Sequence, residues 1–237
     1  MELWGLIIAS IISIFLFIYL IKQKNKSQLQ HLFIITNFLA GFWVVIMLLQ
    51  KVFYKKFNID PITFEYFTYI STCFLPVFLF FTSIVFANTK VKFTLKHALF
   101  FIVPIISLII LWTNNYHHMF YKTYSINLND TITGPYTTIH FIYTYTLFGI
   151  SIINLLRYSI KNAGFFSKQS ILLVLGSLIP IVVNLLGTFG IIPMTVYITP
   201  ISFSFAIFCY ALAIFKFDFL KVAPIAMQRV VDRMSDS

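Results

Sequence analysis

The sequence predicts an all-α membrane protein: a seven-transmembrane helix bundle, N-terminus outside, with a C-terminal cytoplasmic amphipathic signalling helix. Three observations carry that expectation. Of 237 residues, 59% are hydrophobic and only 10% are charged, whereas a soluble domain carries about 25% charged residues. Six long runs contain no Asp, Glu, Lys or Arg: 3–21, 27–50, 66–89, 97–121, 131–156 and 169–215. Lys and Arg are also spread unevenly over the gaps between these runs.

A helix needs about 20 apolar residues to cross a bilayer. Each of the first five runs supplies one crossing, and the last, at 47 residues, supplies two. "GIIPMT" (190–195) divides it, because Gly and Pro break helices and a tight turn needs few residues. The spans therefore fall near 3–21, 32–50, 62–87, 96–112, 136–156, 169–190 and 196–216. Residues 1–216 form the transmembrane domain, and residues 217–237 form a cytoplasmic linker and signalling helix.

Orientation follows from the basic residues. With the N-terminus outside, thirteen of the 17 Lys and Arg lie on the inner side, and only Lys51, Lys55, Lys56 and Lys122 lie outside. That is a positive-inside bias, so the net charge of +10 reports topology and not nucleic-acid binding. The N-terminus lacks the basic flank of a signal peptide, and the first run reads as an uncleaved span. Cys73 and Cys209 sit in apolar runs and read as buried free thiols. No motif repeats between the first and last three spans, which weighs against an inverted-repeat transporter.

Polar residues inside the spans are the candidate site. Glu65 stands about one turn into the third span from the outer side, and His140 about one turn into the fifth. Asn184 lies about two turns below the outer end of the sixth, and Tyr197 opens the seventh. At 1.5 Å per residue all four fall within roughly 10 Å of the outer surface. Trp112, at the outer end of the fourth span, completes the candidate ligand-binding layer. Such a layer suits an outward-facing cavity, and equally suits hydrogen-bonded packing between helices. Asn37 and Asn154, in the inner half, read as packing contacts.

The adjacent pair His117 and His118 diverges by about 100° on a helix and makes a poor chelate. The inner gaps carry no Gly-rich phosphate loop, and there are no paired Cys clusters, no His-Glu metal motif and no nucleophile elbow. No catalytic residue, metal or cofactor is expected.

The tail differs from everything before it. In "IAMQRVVDRMSD" (225–236), Met227, Val231 and Met234 recur at spacings of four and three, with charged residues on the other face. This is a short amphipathic helix with a coiled-coil-like seam. Pro224 suits its first turn, where a missing N–H costs nothing. At about 12 residues the helix is marginal alone and calls for a partner, such as a second copy.

The chain resembles the N-terminal seven-transmembrane sensor region of bacterial histidine kinases. The resemblance is carried by "FLPVFLFFTSIVFANTK" (74–90), "WTNNYHHMFY" (112–121), "GPYTTIHFIYTY" (134–145) and Arg157. It continues through "SKQSILLVLGSLIPIVVNLLGTFGIIP" (167–193), "ITPISFSF" (198–205) and "YALAIFKFDFLKVAPIAMQRVVDRMSD" (210–236). It departs at Ser167, where the family usually carries a second basic residue. The resemblance implies a multi-pass protein of the bacterial cytoplasmic membrane that detects an extracellular or intramembrane stimulus. It implies relay through the last span and through Pro224, Met227, Val231 and Met234 to a cytoplasmic kinase, in a homodimer joined by the tail. Members normally continue into that output domain, and this chain ends where it would start. A diguanylate cyclase sensor and a small seven-span transporter stand as alternatives.

Overall fold

The computed structural model describes residues 1–24, 26–88, 91–92, 94–161 and 165–216. Pro224, Met227, Val231 and Met234, with the helix expected around them, lie outside the described residues.

Among the described residues, seven helices are long and apolar enough to cross a membrane. Span 1 is Glu2–Lys22, span 2 Gln28–Lys56 and span 3 Pro61–Asn88. Span 4 is Leu95–Trp112, span 5 Pro135–Lys161, span 6 Phe165–Thr188 and span 7 Ile198–Phe215. Span 2 overruns the expected 32–50 at both ends. It starts early because Ser27 and Gln30 form a capping box: Ser27 Oγ accepts from Gln30 N (3.3 Å) and Gln30 Oε1 from Ser27 N (2.6 Å). Hydropathy cannot register such a start, since the cap is polar. Span 3 begins with Pro61 in its first turn and Asp60 Oδ1 accepting from Ile62 N (3.1 Å), the expected chemistry for a helix N-terminus.

Spans 1, 2, 3, 5, 6 and 7 form a ring, each packed on the next, with span 7 closing onto spans 1 and 2. Span 4 lies outside the ring against span 3. On span 1 most isoleucines, with Trp4 and Phe15, face outward, and the serines, Ala9 and several leucines face inward. Span 1 buries Leu6, Ala9, Ser10, Ser13, Leu16 and Leu20 and exposes Trp4, Ile8, Ile11, Phe15 and Ile18. Lipid is as apolar as the large side chains, so helices gain most where small residues let backbones approach. Gly176 shows the limit: a Cβ there would fall 2.8 Å from the Tyr210 ring and 3.2 Å from Ala206 O. Spans 6 and 7 close together only with hydrogen at that position.

Span 4 solves a proline problem. Pro104 has no N–H to offer the carbonyl of Phe100, and a 3-10 turn occupies Leu99–Phe101. The Tyr143 hydroxyl of span 5 donates to Phe100 O at 2.5 Å, satisfying the freed carbonyl and docking span 4 onto the ring.

Each end of the bundle is tied. At one end the Glu2 carboxylate accepts from Lys51 Nζ (2.6 Å) and Thr195 Oγ1 (2.5 Å), and Lys51 lies 4.3 Å above the Tyr197 ring. Spans 1 and 2 and the approach to span 7 meet there. At the other end the Gln28 amide clasps Val91 twice, Nε2 to Val91 O (2.8 Å) and Val91 N to Oε1 (3.1 Å).

Residues 113–134 fold over the first of these ends as a lid. A helical turn, Asn114–His117, leads to β1, Tyr121–Thr123, paired antiparallel with β2, Ile132–Thr133. This hairpin is the one departure from the all-α expectation among the described residues. Strands of three and two residues are too short to show a period of two. Asn114 organises the lid: its Oδ1 accepts from Phe120 N (2.9 Å) and Tyr121 N (3.1 Å), and its Nδ2 donates to Tyr121 O (2.8 Å). The lid is also strapped to the approach to span 7, by Leu128 N to Met194 O and Val196 N to Ile126 O, both 2.9 Å.

Two outcomes test these assignments. Tyr143→Phe should cost about 0.5–2 kcal/mol of stability, because it leaves a part-buried carbonyl unpaired. In a Pro104→Ala background, where residue 104 regains its N–H, the cost should vanish; a double-mutant cycle by thermal unfolding in nanodiscs reads the difference. Asn114→Leu should raise amide hydrogen exchange at Phe120 and Tyr121 by at least about tenfold, since each net hydrogen bond contributes about 1 kcal/mol, and leave exchange at Gln28 and Val91 unchanged.

Candidate functional site

The ring encloses a cavity of about 160 Å³, lined by spans 2, 3, 5, 6 and 7 and roofed by lid residues Tyr121, Leu128, Thr131 and Thr133. An engineered cavity of similar volume accommodates benzene. Along span 2 the lining runs from Met47 to Thr36, about 16 Å of helix rise. The walls are mostly apolar or aromatic: Trp43, Leu75, Phe141, Phe148 and Phe203 among them.

Three of the five sequence candidates meet here: Glu65, His140 and Asn184 all line the cavity. Glu65, buried at 8% exposure, accepts from Tyr121 OH at Oε1 (3.3 Å) and from Tyr124 OH at Oε2 (3.2 Å). Tyr69 OH lies 2.8 Å from Tyr121 OH, so Tyr69 donates to Tyr121 while Tyr121 donates to Glu65. Gln50 Nε2 donates to Tyr124 OH (3.4 Å). Burial above all, then the neighbouring acid and phenols, pushes Tyr121 and Tyr124 well above the ordinary phenol value, so both stand as neutral donors to the carboxylate.

His140 Nδ1 lies 3.1 Å from Ser107 Oγ of span 4, which lies 3.2 Å from Tyr136 OH. The imidazole packs against the rings of Tyr69 (5.5 Å) and Phe120 (5.6 Å). Asn184 Oδ1 accepts from Tyr145 OH (2.6 Å), and its Nδ2 donates to Thr199 Oγ1 (3.4 Å), joining spans 5, 6 and 7.

Trp112 and Tyr197 do not line the cavity, which corrects their place in the expected layer. Trp112 is 51% exposed, since span 4 lies outside the ring; its indole donates to Tyr66 O at 3.0 Å, as an aromatic at the membrane interface does. Tyr197 is fully buried among Leu6, Val44 and Met47 of spans 1 and 2. Its neighbour Val196 reaches the cavity instead.

Asn37, expected to be a packing contact, lines the cavity, and its Nδ2 has no hydrogen-bond partner. Thr144 Oγ1 of span 5 is likewise buried, unpartnered and at the wall. Tyr69 and Tyr145 were also missed. Helical spacing carries the signal for most of these: Glu65, Tyr69 and Thr72 recur at four and three, and His140 and Thr144 at four. Asn154, by contrast, makes the interhelical contact expected of it, Nδ2 to Ser83 Oγ at 3.4 Å. Pro76 and Pro180 add to the polarity. Each removes the N–H that would pair the carbonyl four residues earlier, and those residues, Thr72 and Gly176, both line the cavity.

Buried polar groups are normally satisfied. Donors and acceptors left over around one space suit a polar or amphipathic occupant. Among the described residues no three His, Cys, Asp or Glu side chains group as a metal site would require.

Neither a curated protein nor a solved structure matches the chain. The family model for the N-terminal 7TM region of histidine kinase matches residues 5–224, which takes in all seven spans, the lid and the cavity. The chain thus belongs to the family of N-terminal seven-transmembrane regions of histidine kinases, a sensory membrane domain.

Proposed function

We propose that this domain is a receptor whose stimulus enters the central cavity and changes the packing of span 7. The observation that carries this reading is the set of unpartnered polar groups on a lidded cavity to which span 7 contributes Thr199, Phe203, Ala206, Ile207 and Tyr210. A ligand shifts an equilibrium between two packings only by its differential affinity for them. An occupant touching span 7 over three turns has the means to discriminate between them.

The remaining features of the proposal follow the charge pattern and the family. The protein lies in the bacterial cytoplasmic membrane, with the lid outside and the tail in the cytoplasm. Span 7 continues through 216–224 to the amphipathic seam of Met227, Val231 and Met234. In a homodimer, displacement of span 7 repositions two output domains, taken to be histidine kinases. Asn184, which bonds to spans 5 and 7 together, is the natural point at which occupancy is felt.

Two measurements test this. Thr144→Trp fills the cavity without an added stimulus. In the full-length kinase in membrane vesicles it should change basal autophosphorylation by about fivefold or more, the lower end of ordinary allosteric coupling. Combining it with Val231→Glu should abolish the difference; equal output from wild type and Thr144→Trp would rule out the cavity as the input. For orientation, a membrane-impermeant maleimide should label Lys122→Cys in intact cells and Ser237→Cys only after lysis. The reverse pattern would invert the proposed topology.

A further inference from the structure

The cavity holds one acidic side chain. Of all its lining residues, only Glu65 is an Asp, Glu, Lys or Arg, and Glu65 takes no part in the ion pair of Lys51 and Glu2. A carboxylate offers about four acceptor sites, and Glu65 uses two. Both of its hydrogen bonds, at 3.2 and 3.3 Å, are long beside the 2.5–2.7 Å usual for a hydroxyl on a carboxylate. The acid is held in place and left underserved. Aromatic rings line the same cavity: Trp43, Tyr69, Tyr121, Phe141 and Tyr145. His140 makes no ion pair with Glu65 and is turned through Nδ1 to Ser107.

An anion has no cation to meet here. A bare metal ion has one carboxylate and mostly apolar walls, far short of a coordination shell. A neutral ligand gives the acid no counter-charge and leaves it to neutralise by taking up a proton, so it gains nothing from the carboxylate. An organic cation answers each of these conditions, because its charge pairs with the carboxylate, its polarised N–H or C–H groups favour aromatic faces, and its apolar body fills the rest.

We propose that the cavity takes a small organic monocation, with a protonated primary amine seated against Glu65 and a ring or short chain directed inward past Leu75 and Phe148. This rests on the cavity being the input site and specifies what it admits.

Three probes of one shape and three charges decide the matter: 2-phenylethylamine, 2-phenylethanol and phenylacetate, titrated calorimetrically into the 237-residue chain in nanodiscs of neutral lipid, with empty nanodiscs as blank. The amine should bind at least about tenfold more tightly than the alcohol, one decade in Kd, and phenylacetate should not bind. Glu65→Gln should bring the amine to the affinity of the alcohol and leave the alcohol unchanged. Equal binding by all three probes, binding led by phenylacetate, or an amine preference that survives Glu65→Gln overturns the charge assignment. If Thr144→Trp still abolishes binding in those cases, the cavity stands as a site and only its selectivity falls. If no probe binds at millimolar concentration, or if Thr144→Trp leaves amine binding intact, the proposal and the cavity reading fall together. Should Glu65→Gln not yield folded protein, the ranking of the three probes on the wild-type chain decides alone.

Discussion

In hydrocarbon every backbone N–H and C=O has to find its partner within the chain, because no water is there to supply one. That constraint makes the spans helical, and it makes each departure from a regular helix visible. Pro104 takes a donor from span 4, and the structure answers with the Tyr143 hydroxyl on Phe100 O. Pro76 and Pro180 take donors from spans 3 and 6, and the carbonyls they release belong to Thr72 and Gly176, at the wall of the central cavity. The same chemical event is thus used in two ways: once to dock a peripheral helix, and twice to bring acceptors to an interior space.

Side chains follow the same logic in reverse. Isoleucine, phenylalanine and tryptophan turn to lipid on span 1, while serine and alanine turn to the ring. Polar side chains on the other spans gather at the axis, where they can serve one another. They do so incompletely. Tyr69, Tyr121 and Tyr124 converge on Glu65, and Tyr145 and Thr199 on Asn184. Asn37 and Thr144 stay unpartnered at the wall. A bundle needing only glue between helices would gain by pairing these groups. On the proposed reading, the remainder is what an occupant of the cavity would meet.

The spans were legible because a charge-free apolar run of bilayer length is rare in a water-soluble fold, and all seven are found close to where the pattern predicts. Their ends were less legible: the Ser27 and Gln30 capping box extends span 2 into polar sequence that hydropathy discounts. The lid hairpin was invisible, since strands of three and two residues show no period. For the site, depth counted along each helix brought Glu65, His140 and Asn184 to one cavity, but depth says nothing about which way a residue faces. Trp112 and Tyr197 lie at the right level and point elsewhere, Trp112 because span 4 sits outside the ring and Tyr197 because spans 1, 2 and 7 close over it. Asn37 was passed over for the opposite reason. It stands deeper than the expected layer, and the cavity reaches about 16 Å along span 2.

The lid does more than exclude water. Its backbone is bonded to Met194 and Val196, immediately before span 7, and Thr195 between them bonds to Glu2 of span 1. Tyr121 and Tyr124 of the same lid hold Glu65 of span 3. The roof of the cavity and the start of span 7 are therefore one hydrogen-bonded unit, seated on Glu65 at one side and on Glu2 and Lys51 at the other. On the proposed mechanism, drawing Glu65 toward an occupant pulls on Tyr121 and Tyr124, and through the hairpin on the first turn of span 7, while the occupant also bears on span 7 directly from Thr199 to Tyr210. The two inputs meet on span 7, while span 4, outside the ring, meets the lid through Leu108 and Leu111, packed with Phe120 and Tyr121, and meets His140 through Ser107. Spans 3, 5 and 6 also meet both the lid and the cavity, but of the helices around the cavity span 7 is the one whose sequence runs on to the tail.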